Sequence, residues 1–172
     1  ILTSVSLSSS IKRNLNLQTN VKWPNDITLN GKKVAGIVID ASFQSNSIES
    51  IVIGIGINYR IEPDQVEKKI KKTGNFYGVE TLVDKSETDN PINLITDFML
   101  QLEKNIEYLT NGKKTKIINE WTKNSETINK KVMFDGPNGK ISGIAKKIDS
   151  DGALIIKTKH GIERLLVGDI TY

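Results

Sequence analysis

Residues 51–59 constrain the fold of this chain more than any other stretch, because β-branched residues and glycines alternate along it. Gly54 and Gly56 flank Ile55, and isoleucine or valine fills most of the surrounding positions. Alternate residues of a strand lie on one face, so a strand built from this stretch has a face without side chains. A flat apolar ligand or a closely packed helix could occupy that face. A dinucleotide fingerprint is excluded, since no third glycine follows at the required spacing.

Charged residues precede this strand on a predicted hairpin. Two short β-branched runs are joined by Asn30-Gly31, the pair that a type I′ turn favours. The hairpin brings Lys22, Asp26 and Lys33 within a few residue spacings of one another. Ammonium groups bind phosphate or carboxylate, and a carboxylate binds Mg²⁺, which predicts a phosphate-bearing ligand. A surface hairpin with solvated charges is the alternative.

The remaining patterns predict an α+β fold, with a mixed or antiparallel sheet packed by helices. Apolar residues recur at helical spacing in residues 4–17, 62–72, 91–109 and 115–123. Short β-branched runs separated by glycine-containing turns predict further strands at residues 131–134, 140–148, 153–158 and 161–167. These closely spaced strands are typical of a small β-barrel. We therefore expect a core of residues 1–126 and a C-terminal barrel of residues 127–172.

Composition excludes several classes of site. The 172 residues contain no cysteine and one histidine, His160, which excludes disulfide scaffolds and cysteine-ligated metals and disfavours a Ser–His–Asp triad. The net charge of +4 is too small to indicate nucleic-acid binding by itself. No apolar run approaches the roughly 20 residues that span a bilayer, and the first residues lack the layout of a signal peptide. We expect a cytoplasmic protein with no membrane partner.

Three strings follow one another in the chain: Lys22-Trp23-Pro24-Asn25-Asp26, Gly31-Lys32-Lys33-Val34-Ala35-Gly36-Ile37 and Ile53-Gly54-Ile55-Gly56-Ile57-Asn58. In this order and at these separations they strongly resemble the biotin–protein ligases, also called holocarboxylase synthetases. The resemblance runs through the whole chain, more faintly after Asn58. It implies a catalytic core like that of class II aminoacyl-tRNA synthetases and biotin ligases, followed by an SH3-like barrel.

The resemblance also implies a two-step reaction. Biotin and MgATP form biotinyl-5′-AMP with release of pyrophosphate, and biotin then passes to a lysine of a biotin carboxyl carrier domain. The carrier belongs to acetyl-CoA carboxylase or a related carboxylase. ATP, Mg²⁺ and the substrate biotin are therefore the expected small molecules.

By the same resemblance, Lys33 holds the biotin carboxylate and later the acyl-phosphate oxygens. The implied biotin-binding positions lie on the strings that carry glycine: Lys33, Gly36, Ile37, Val38, Gly54 and Gly56. The implied ATP-binding positions are polar: Lys22, Asn25, Asp26 and Asn58. Asp26 is also the implied metal ligand and a candidate base for the acceptor lysine. Phe76, Tyr77 and Val79 are available to cover the adenine.

The family's Gly/Arg-rich loop and Ser-Thr-Asn segment, which precede the first helix, are not among these residues. We therefore expect a C-terminal portion of the enzyme, impaired in adenylation because arginines that would clamp biotin and phosphates are missing. A noncatalytic biotin- or carrier-binding module and a lipoate ligase relative are the alternatives. A basic nucleic-acid-binding domain is a third, although we expect no nucleic acid to bind this stretch. The hairpin end at residues 44–50 could pair across a two-fold axis, which predicts a possible homodimer.

Overall fold

A computed structural model describes residues 1–45, 47–70, 76–84, 86–88, 90–136 and 139–172. The described helices and strands, in chain order, are α1 (Leu2–Leu15), β1 (Asn20–Lys22), β2 (Asp26–Leu29), β3 (Lys32–Gln44), β4 (Ser47–Ile57), α2 (Pro63–Lys69), α3 (Pro91–Thr110), α4 (Lys114–Lys123), β5 (Lys131–Gly136), β6 (Gly139–Ile148), β7 (Leu154–Thr158), β8 (Gly161–Leu165) and β9 (Ile170–Thr171). The predicted α+β class is confirmed.

The first sheet is an antiparallel meander in the order β1-β2-β3-β4. Asn30 and Gly31 both have positive φ, at 52° and 77°, as the predicted type I′ turn requires. β3 and β4 extend well beyond the predicted runs, as a hairpin whose distal half is exposed. Ile48, Ile51 and Val52 favour an extended backbone in β4, and pairing with this strand keeps β3 extended as far as Gln44.

The second sheet is also antiparallel, in the order β8-β7-β6-β5-β9. The predicted C-terminal β region is therefore confirmed. Among the described residues no pairing joins β8 to β9, so the described sheet is open rather than a closed barrel. The last predicted strand ends early, at Leu165, and Gly168 then has a φ of 124°, which turns the chain into β9.

The four predicted helices are present with small shifts at their ends. α1 buries Ser6, Ser8 and Ser10 beside its apolar residues, and these small side chains let α3 approach closely. α3 begins at a cap in which the Asn90 side chain accepts a hydrogen bond from the Ile92 N–H, and it ends before Gly112 as predicted. Part of the predicted end of α2 lies outside the described residues. No helix in the described segments combines the length and apolar character that crossing a bilayer requires.

Two apolar clusters stabilise the molecule. One lies between α1, α3 and the first sheet and contains Leu7, Ile11, Val34 and Phe98. The other joins α1, β1 and α4 to the second sheet, with Trp121 packed in the same cluster as residues of β5, β6 and β7. Apolar packing therefore crosses the predicted boundary between residues 126 and 127, and that boundary stays a prediction.

Removing Trp121 should destabilise both sheets together. Its side chain is 1% exposed, so we expect Trp121→Ala to lower the free energy of unfolding by about 3–5 kcal/mol. Urea unfolding followed by far-UV circular dichroism should show one cooperative transition that moves as a whole. Ile106→Ala, at a half-exposed position of α3, is the control and should cost at most about 1 kcal/mol. Two separate transitions, of which only one moves, would contradict a shared core.

Candidate functional site

One row of cross-strand partners runs through all four strands of the first sheet. Lys22 of β1 lies opposite Asp26 of β2, Asp26 lies opposite Gly36 of β3, and Gly36 lies opposite Gly56 of β4. Cross-strand partners point to the same face of a sheet. The row therefore places a cation and a carboxylate beside two adjacent positions without side chains, so an open floor lies next to a charged edge.

A cavity of about 710 Å³ lies over this row. Its walls come from β2, β3, β4, α2 and the segment that follows residue 75: Asn25, Asp26, Lys33, Ala35, Gly36, Ile37, Val38, Gly56, Ile57, Asn58, Val66, Ile70, Phe76, Tyr77, Gly78 and Val79. Most of the predicted site residues are among them. Lys22 and Gly54 are not among them. Lys22 lines a neighbouring cavity, and Gly54 lies opposite Val38, two residue pairs along the hairpin from the Gly36–Gly56 pair.

Lys33 and Asp26 form an ion pair at one end of the cavity. The Lys33 side chain lies directly over Gly36, because a Cβ built on Gly36 would be only 2.9 Å from both Cε and Nζ of Lys33. Gly36 therefore makes room for the lysine as well as lining the cavity. The paired oxygen of Asp26, Oδ1, is buried, and the Lys33 ammonium lies against it. A further cation at this oxygen would have to share it with Lys33.

The backbone of Lys33 is held from two sides. Its carbonyl oxygen accepts hydrogen bonds from Asn58 Nδ2 and from the Glu80 N–H, both at 2.9 Å. Its own N–H donates to the Gly78 carbonyl at 3.1 Å. The segment after residue 75 thus runs beside Lys33 and fixes it. Asn58, which the resemblance placed at the phosphates, lines the cavity but uses its amide to hold this backbone.

Asn25 has a similar bracing position. Its side-chain Nδ2 donates to the Ile37 backbone carbonyl at 2.9 Å, and its backbone carbonyl accepts a hydrogen bond from the Ile37 N–H at 2.9 Å. This pair of bonds joins the loop between β1 and β2 to β3, next to the cavity. Each carboxamide nitrogen carries two hydrogens, so Asn25 and Asn58 both keep one donor beyond these bonds.

Tyr77 has a polar role that its sequence context does not indicate. It was predicted only as an apolar cover for adenine, yet its hydroxyl donates to Asp26 Oδ2 at 2.6 Å. The Lys22 ammonium lies 3.2 Å from the centre of the same ring. Burial and the hydrogen bond to Asp26 raise the pKa of Tyr77 above its usual value of 10.0. Residues 71–75, which lead into this segment, lie outside the described residues.

Several residues that line the two cavities were not predicted from the sequence. Val66 and Ile70 are an i, i+4 apolar pair within the predicted helix of residues 62–72, for which no ligand contact was predicted, but both line the cavity. The pair itself was the available signal, because an apolar pair on a short polar helix needs something to cover it. Tyr172, which lines the neighbouring cavity of about 260 Å³ with Lys22, follows a strand that was not predicted.

Tyr77 and Tyr108 should ionise in different pH ranges. The hydrogen bond from Lys116 lowers the pKa of Tyr108 at the surface, whereas the pKa of Tyr77 is raised. The unfolded chain loses the Tyr77 proton near its usual pKa, so the stability that this group contributes is present below about pH 10 and is lost as the pH rises further. Absorbance of tyrosinate during an alkaline titration measures both groups. Tyr108→Phe should remove an early-ionising phenol and Tyr77→Phe a late one; the reverse order would contradict the site geometry.

Known families match both ends of the chain. A profile of the Biotin/lipoate A/B protein ligase family matches residues 1–58, and one of the Biotin protein ligase C terminal domain matches residues 127–171. The Bifunctional ligase/repressor BirA of Bacillus subtilis (strain 168) is 30% identical over 171 residues, which are 99% of this chain and 51% of that protein. The Biotin--[acetyl-CoA-carboxylase] ligase of Paracoccus denitrificans is 28% identical over 88% of this chain and 62% of its own.

Solved structures have the same fold. The biotin protein ligase from Aquifex aeolicus in complex with biotin and ATP matches with a TM-score of 0.74 at 20% identity, covering 99% of this chain and 68% of that chain. A second structure of the Aquifex aeolicus enzyme gives a TM-score of 0.76 at 21% identity. The expected ligase-like core is confirmed, and the chain spans about half the length of the BirA proteins that it matches. On these grounds, the chain belongs to the biotin protein ligase family.

Proposed function

We propose that this chain carries the ATP-dependent chemistry of a biotin–protein ligase: formation of biotinyl-5′-AMP and transfer of biotin to a lysine of a carrier domain. The observation that carries the proposal is the cavity in which the Lys33–Asp26 pair lies over Gly36 and adjoins the open floor at Gly56. A ligand with a flat apolar body and a carboxylate at one end fits both parts. The BirA and Paracoccus relatives, named as ligases, support the same activity.

We assign the biotin ring system to the glycine floor and its carboxylate to Lys33. A Cβ on Gly56 would meet no atom within 4 Å, so the space above that backbone is open to a ligand. Ile37 and Val38 line the same cavity and would contact the apolar part. The predicted role of Gly54 is indirect, because it keeps the strand face beside Val38 free of side chains.

We assign the nucleotide to the charged end of the row. Lys22, Asn25, Asp26 and Asn58 would face the phosphates, and Phe76 and Val79 of the cavity wall would contact the adenine. Both asparagines keep one amide hydrogen for this purpose. The position of Lys22 opposite Asp26 in the ladder supports phosphate binding by placing a cation at this end.

Asp26 fits a Mg²⁺ ion carried by ATP. Mg²⁺ is commonly held by one or two carboxylates plus substrate phosphates, and Asp26 is the carboxylate at this end of the cavity. Its Oδ1 contacts Lys33 and its Oδ2 accepts a hydrogen bond from Tyr77, so the ion would share or displace one of these contacts. Three or more metal-ligating side chains do not cluster anywhere in the described residues, so the donor set suits a metal that arrives with the nucleotide. When bound, the ion would neutralise charge on the phosphate oxygens.

In the first step a biotin carboxylate oxygen attacks the α-phosphorus of ATP, and pyrophosphate leaves. The ammonium of Lys33 holds that carboxylate and then faces the oxygens on which negative charge develops. Hydrogen bonds from Asn58 and the Glu80 N–H fix the Lys33 backbone. The lysine is therefore oriented before the substrates bind, which lowers the cost of reaching the transition state.

In the second step the ε-amine of the acceptor lysine attacks the acyl carbon, and AMP leaves with the bonding electrons. The amine must lose a proton, and we assign its removal to Asp26. Asp26 accepts from Tyr77 and pairs with Lys33 in this structure. Both contacts occupy its carboxylate oxygens, so at least one of them must loosen before transfer.

We assign the carrier to an acetyl-CoA carboxylase or a related carboxylase, on the printed name of the Paracoccus relative. We also propose a cytoplasmic location, which follows if the acceptor is this metabolic enzyme. The family profile covers lipoate as well as biotin ligases, so lipoate is the substrate against which biotin must be tested.

Replacing Lys33 should abolish ligation without unfolding the chain. The chain is incubated with a biotin carboxyl carrier domain, MgATP and either biotin or lipoate, and acyl transfer is scored by mass spectrometry. We expect Lys33→Ala to lower the rate of biotin transfer by at least about 10²-fold, as for removal of one oxyanion-stabilising donor. Lys32→Ala is the matched control, because Lys32 is the adjacent lysine with only a long 3.9 Å contact to Glu80.

The possible outcomes separate the candidate functions. Biotin transfer that depends on Lys33 but not on Lys32 supports the ligase. Biotin binding by calorimetry without adenylate or transfer supports a noncatalytic binding module instead. Transfer of lipoate in preference to biotin would reassign the substrate, and equal activity of the Lys33→Ala variant and wild type would contradict the proposed site.

We also propose that the chain forms a homodimer through the β3–β4 hairpin. β4 is an edge strand among the described residues, and Phe43, Ile48, Ile51 and Val52 are exposed near the hairpin end. An exposed apolar edge strand is suited to pairing with a second copy. Asn46, at the turn itself, lies outside the described residues.

Sedimentation analysis tests the dimer. We expect wild type to associate reversibly at micromolar concentration and Val52→Lys to remain monomeric, because a charge on the edge strand opposes pairing. Ile162→Lys, at an equally exposed position of β8, is the control. A monomer at every concentration, or dimers unaffected by Val52→Lys, would reject this interface.

A further inference from the structure

Two aromatic rings enclose the ammonium of Lys22. Its Nζ lies 3.2 Å from the centre of the Tyr77 ring and 4.3 Å from the centre of the Tyr172 ring. The rings come from different parts of the chain: Tyr77 follows β4 and α2, and Tyr172 follows β9 of the second sheet. The described residues supply no ion pair to Lys22, so the two ring faces are the contacts that hold its charge.

Tyr172 is attached to the strand that carries Lys22. Its hydroxyl lies 2.6 Å from Thr127 Oγ1, and the same Oγ1 accepts a hydrogen bond from the Trp23 N–H at 2.9 Å. Thr127 is 0% exposed, so these bonds lie in a protected region. The ring of Tyr172 therefore has a fixed position relative to β1, although it belongs to the other sheet.

Partial burial makes the charge of Lys22 dependent on its neighbours. Burial lowers the pKa of Lys22, while the carboxylates of Asp26 and Glu126 oppose that shift and the ammonium of Lys33 adds to it. An ammonium taken partly out of water interacts more strongly with a ring face than an exposed one does. The two rings thus hold the Lys22 side chain in place beside the cavity of about 260 Å³ that it lines with Asp26 and Asp169.

We propose that Tyr172 is a positioning residue of the nucleotide site: with Tyr77 it holds the Lys22 ammonium in the orientation in which a nucleotide phosphate meets it. The inference rests on the proposed function, in which Lys22 faces the ATP phosphates. It adds that the second sheet, through Tyr172, determines how well that lysine binds them.

The two rings form a clamp on Lys22, and preorganisation explains why this clamp favours phosphate binding. A free lysine side chain loses rotamer entropy when a ligand orders it. A clamped lysine has already lost that freedom when the protein folds, so phosphate binding does not bear the cost. Lys22 contacts both rings and lines the smaller cavity.

Tyr172 is a better probe of the clamp than Tyr77. Tyr77 also donates a hydrogen bond to Asp26 and lines the larger cavity, so its replacement disturbs several contacts at once. Tyr172 lines only the smaller cavity, where its ring contacts Lys22, and its hydroxyl bonds Thr127. Replacement of its ring therefore isolates the contact with the lysine, provided that loss of packing is measured separately.

A double-mutant cycle with MgATP as the titrant tests the proposal. Tyr172→Leu removes the ring, Lys22→Ala removes the ammonium, and the double variant removes both. We expect Tyr172→Leu to weaken MgATP binding about three- to tenfold, the range of a partly desolvated cation–π contact. In the Lys22→Ala background the same change should have no further effect, because the ring acts through the lysine.

Two further variants separate this role from simple packing. Tyr172→Phe keeps the ring and loses the bond to Thr127, so it should retain more MgATP affinity than Tyr172→Leu. Tyr108→Leu is the matched control, because Lys116 lies 4.2 Å from the Tyr108 ring on α3, outside both cavities. It removes a comparable contact and should leave MgATP binding unchanged. Equal losses for Tyr172→Leu in both lysine backgrounds, or no loss in either, would overturn the proposal.

A direct readout keeps the clamp testable if the wild type fails to bind MgATP, which would count against the proposed function. Aromatic rings at these distances shift the ε-methylene proton signals of Lys22 upfield in the NMR spectrum. An upfield signal that Tyr172→Leu removes and Tyr108→Leu does not would establish the clamp on its own. An unshifted Lys22 signal in wild type would overturn it whatever the nucleotide result.

Discussion

The register of the first sheet is the constraint on which the rest of the site depends. A slip of one residue between β2 and β3 would send Asp26 to the other face and place a side chain where Gly36 leaves space. The buried face on α1 and α3 opposes such a slip, since Ile27 and Ala35 are cross-strand partners with almost no exposure. Core packing thus holds the charged row and the glycine floor in line.

Residues outside the strands also hold β3 in place, through hydrogen bonds to its backbone beside the charged row. Asn58 and the Glu80 N–H both bond the Lys33 carbonyl, and Asn25 bonds the backbone of Ile37. Side chains that a ligand could use are therefore also the side chains that brace the strand. This arrangement links ligand binding to the rigidity of β3. A ligand that draws Asn58 away weakens the hydrogen bond that holds the Lys33 backbone, and one that draws Asn25 away weakens the bond to Ile37.

Most helices and strands, and the charged and glycine residues of the site, were predictable from local sequence. The Asn30-Gly31 turn sets the pairing of Leu29 with Lys32 and of Thr28 with Lys33, and an irregularity between Ile27 and Thr28 then shifts the register so that Asp26 lies opposite Gly36. The turn alone would place Asp26 opposite Ala35, so the alignment of the charged row was not predictable from it. The roles of Tyr77 and Tyr172 were not predictable, because each depends on long-range packing: Tyr77 reaches Asp26 across 51 positions of sequence. β9 was missed for the same reason, since two residues carry no periodicity and pair only because β5 offers an edge.

The second sheet belongs to the site as well as to the core. Trp23 packs in the same apolar cluster as β5, β6 and β7, and its neighbour Lys22 contacts Tyr172 after β9. A change in how this sheet packs would move both residues, because they are consecutive on β1 and in the loop that follows it. The charged end of the row therefore depends on C-terminal packing, whereas the glycine floor depends on α1 and α3. Because the two ends have separate supports, substitutions can disturb the proposed nucleotide site and the proposed biotin site independently.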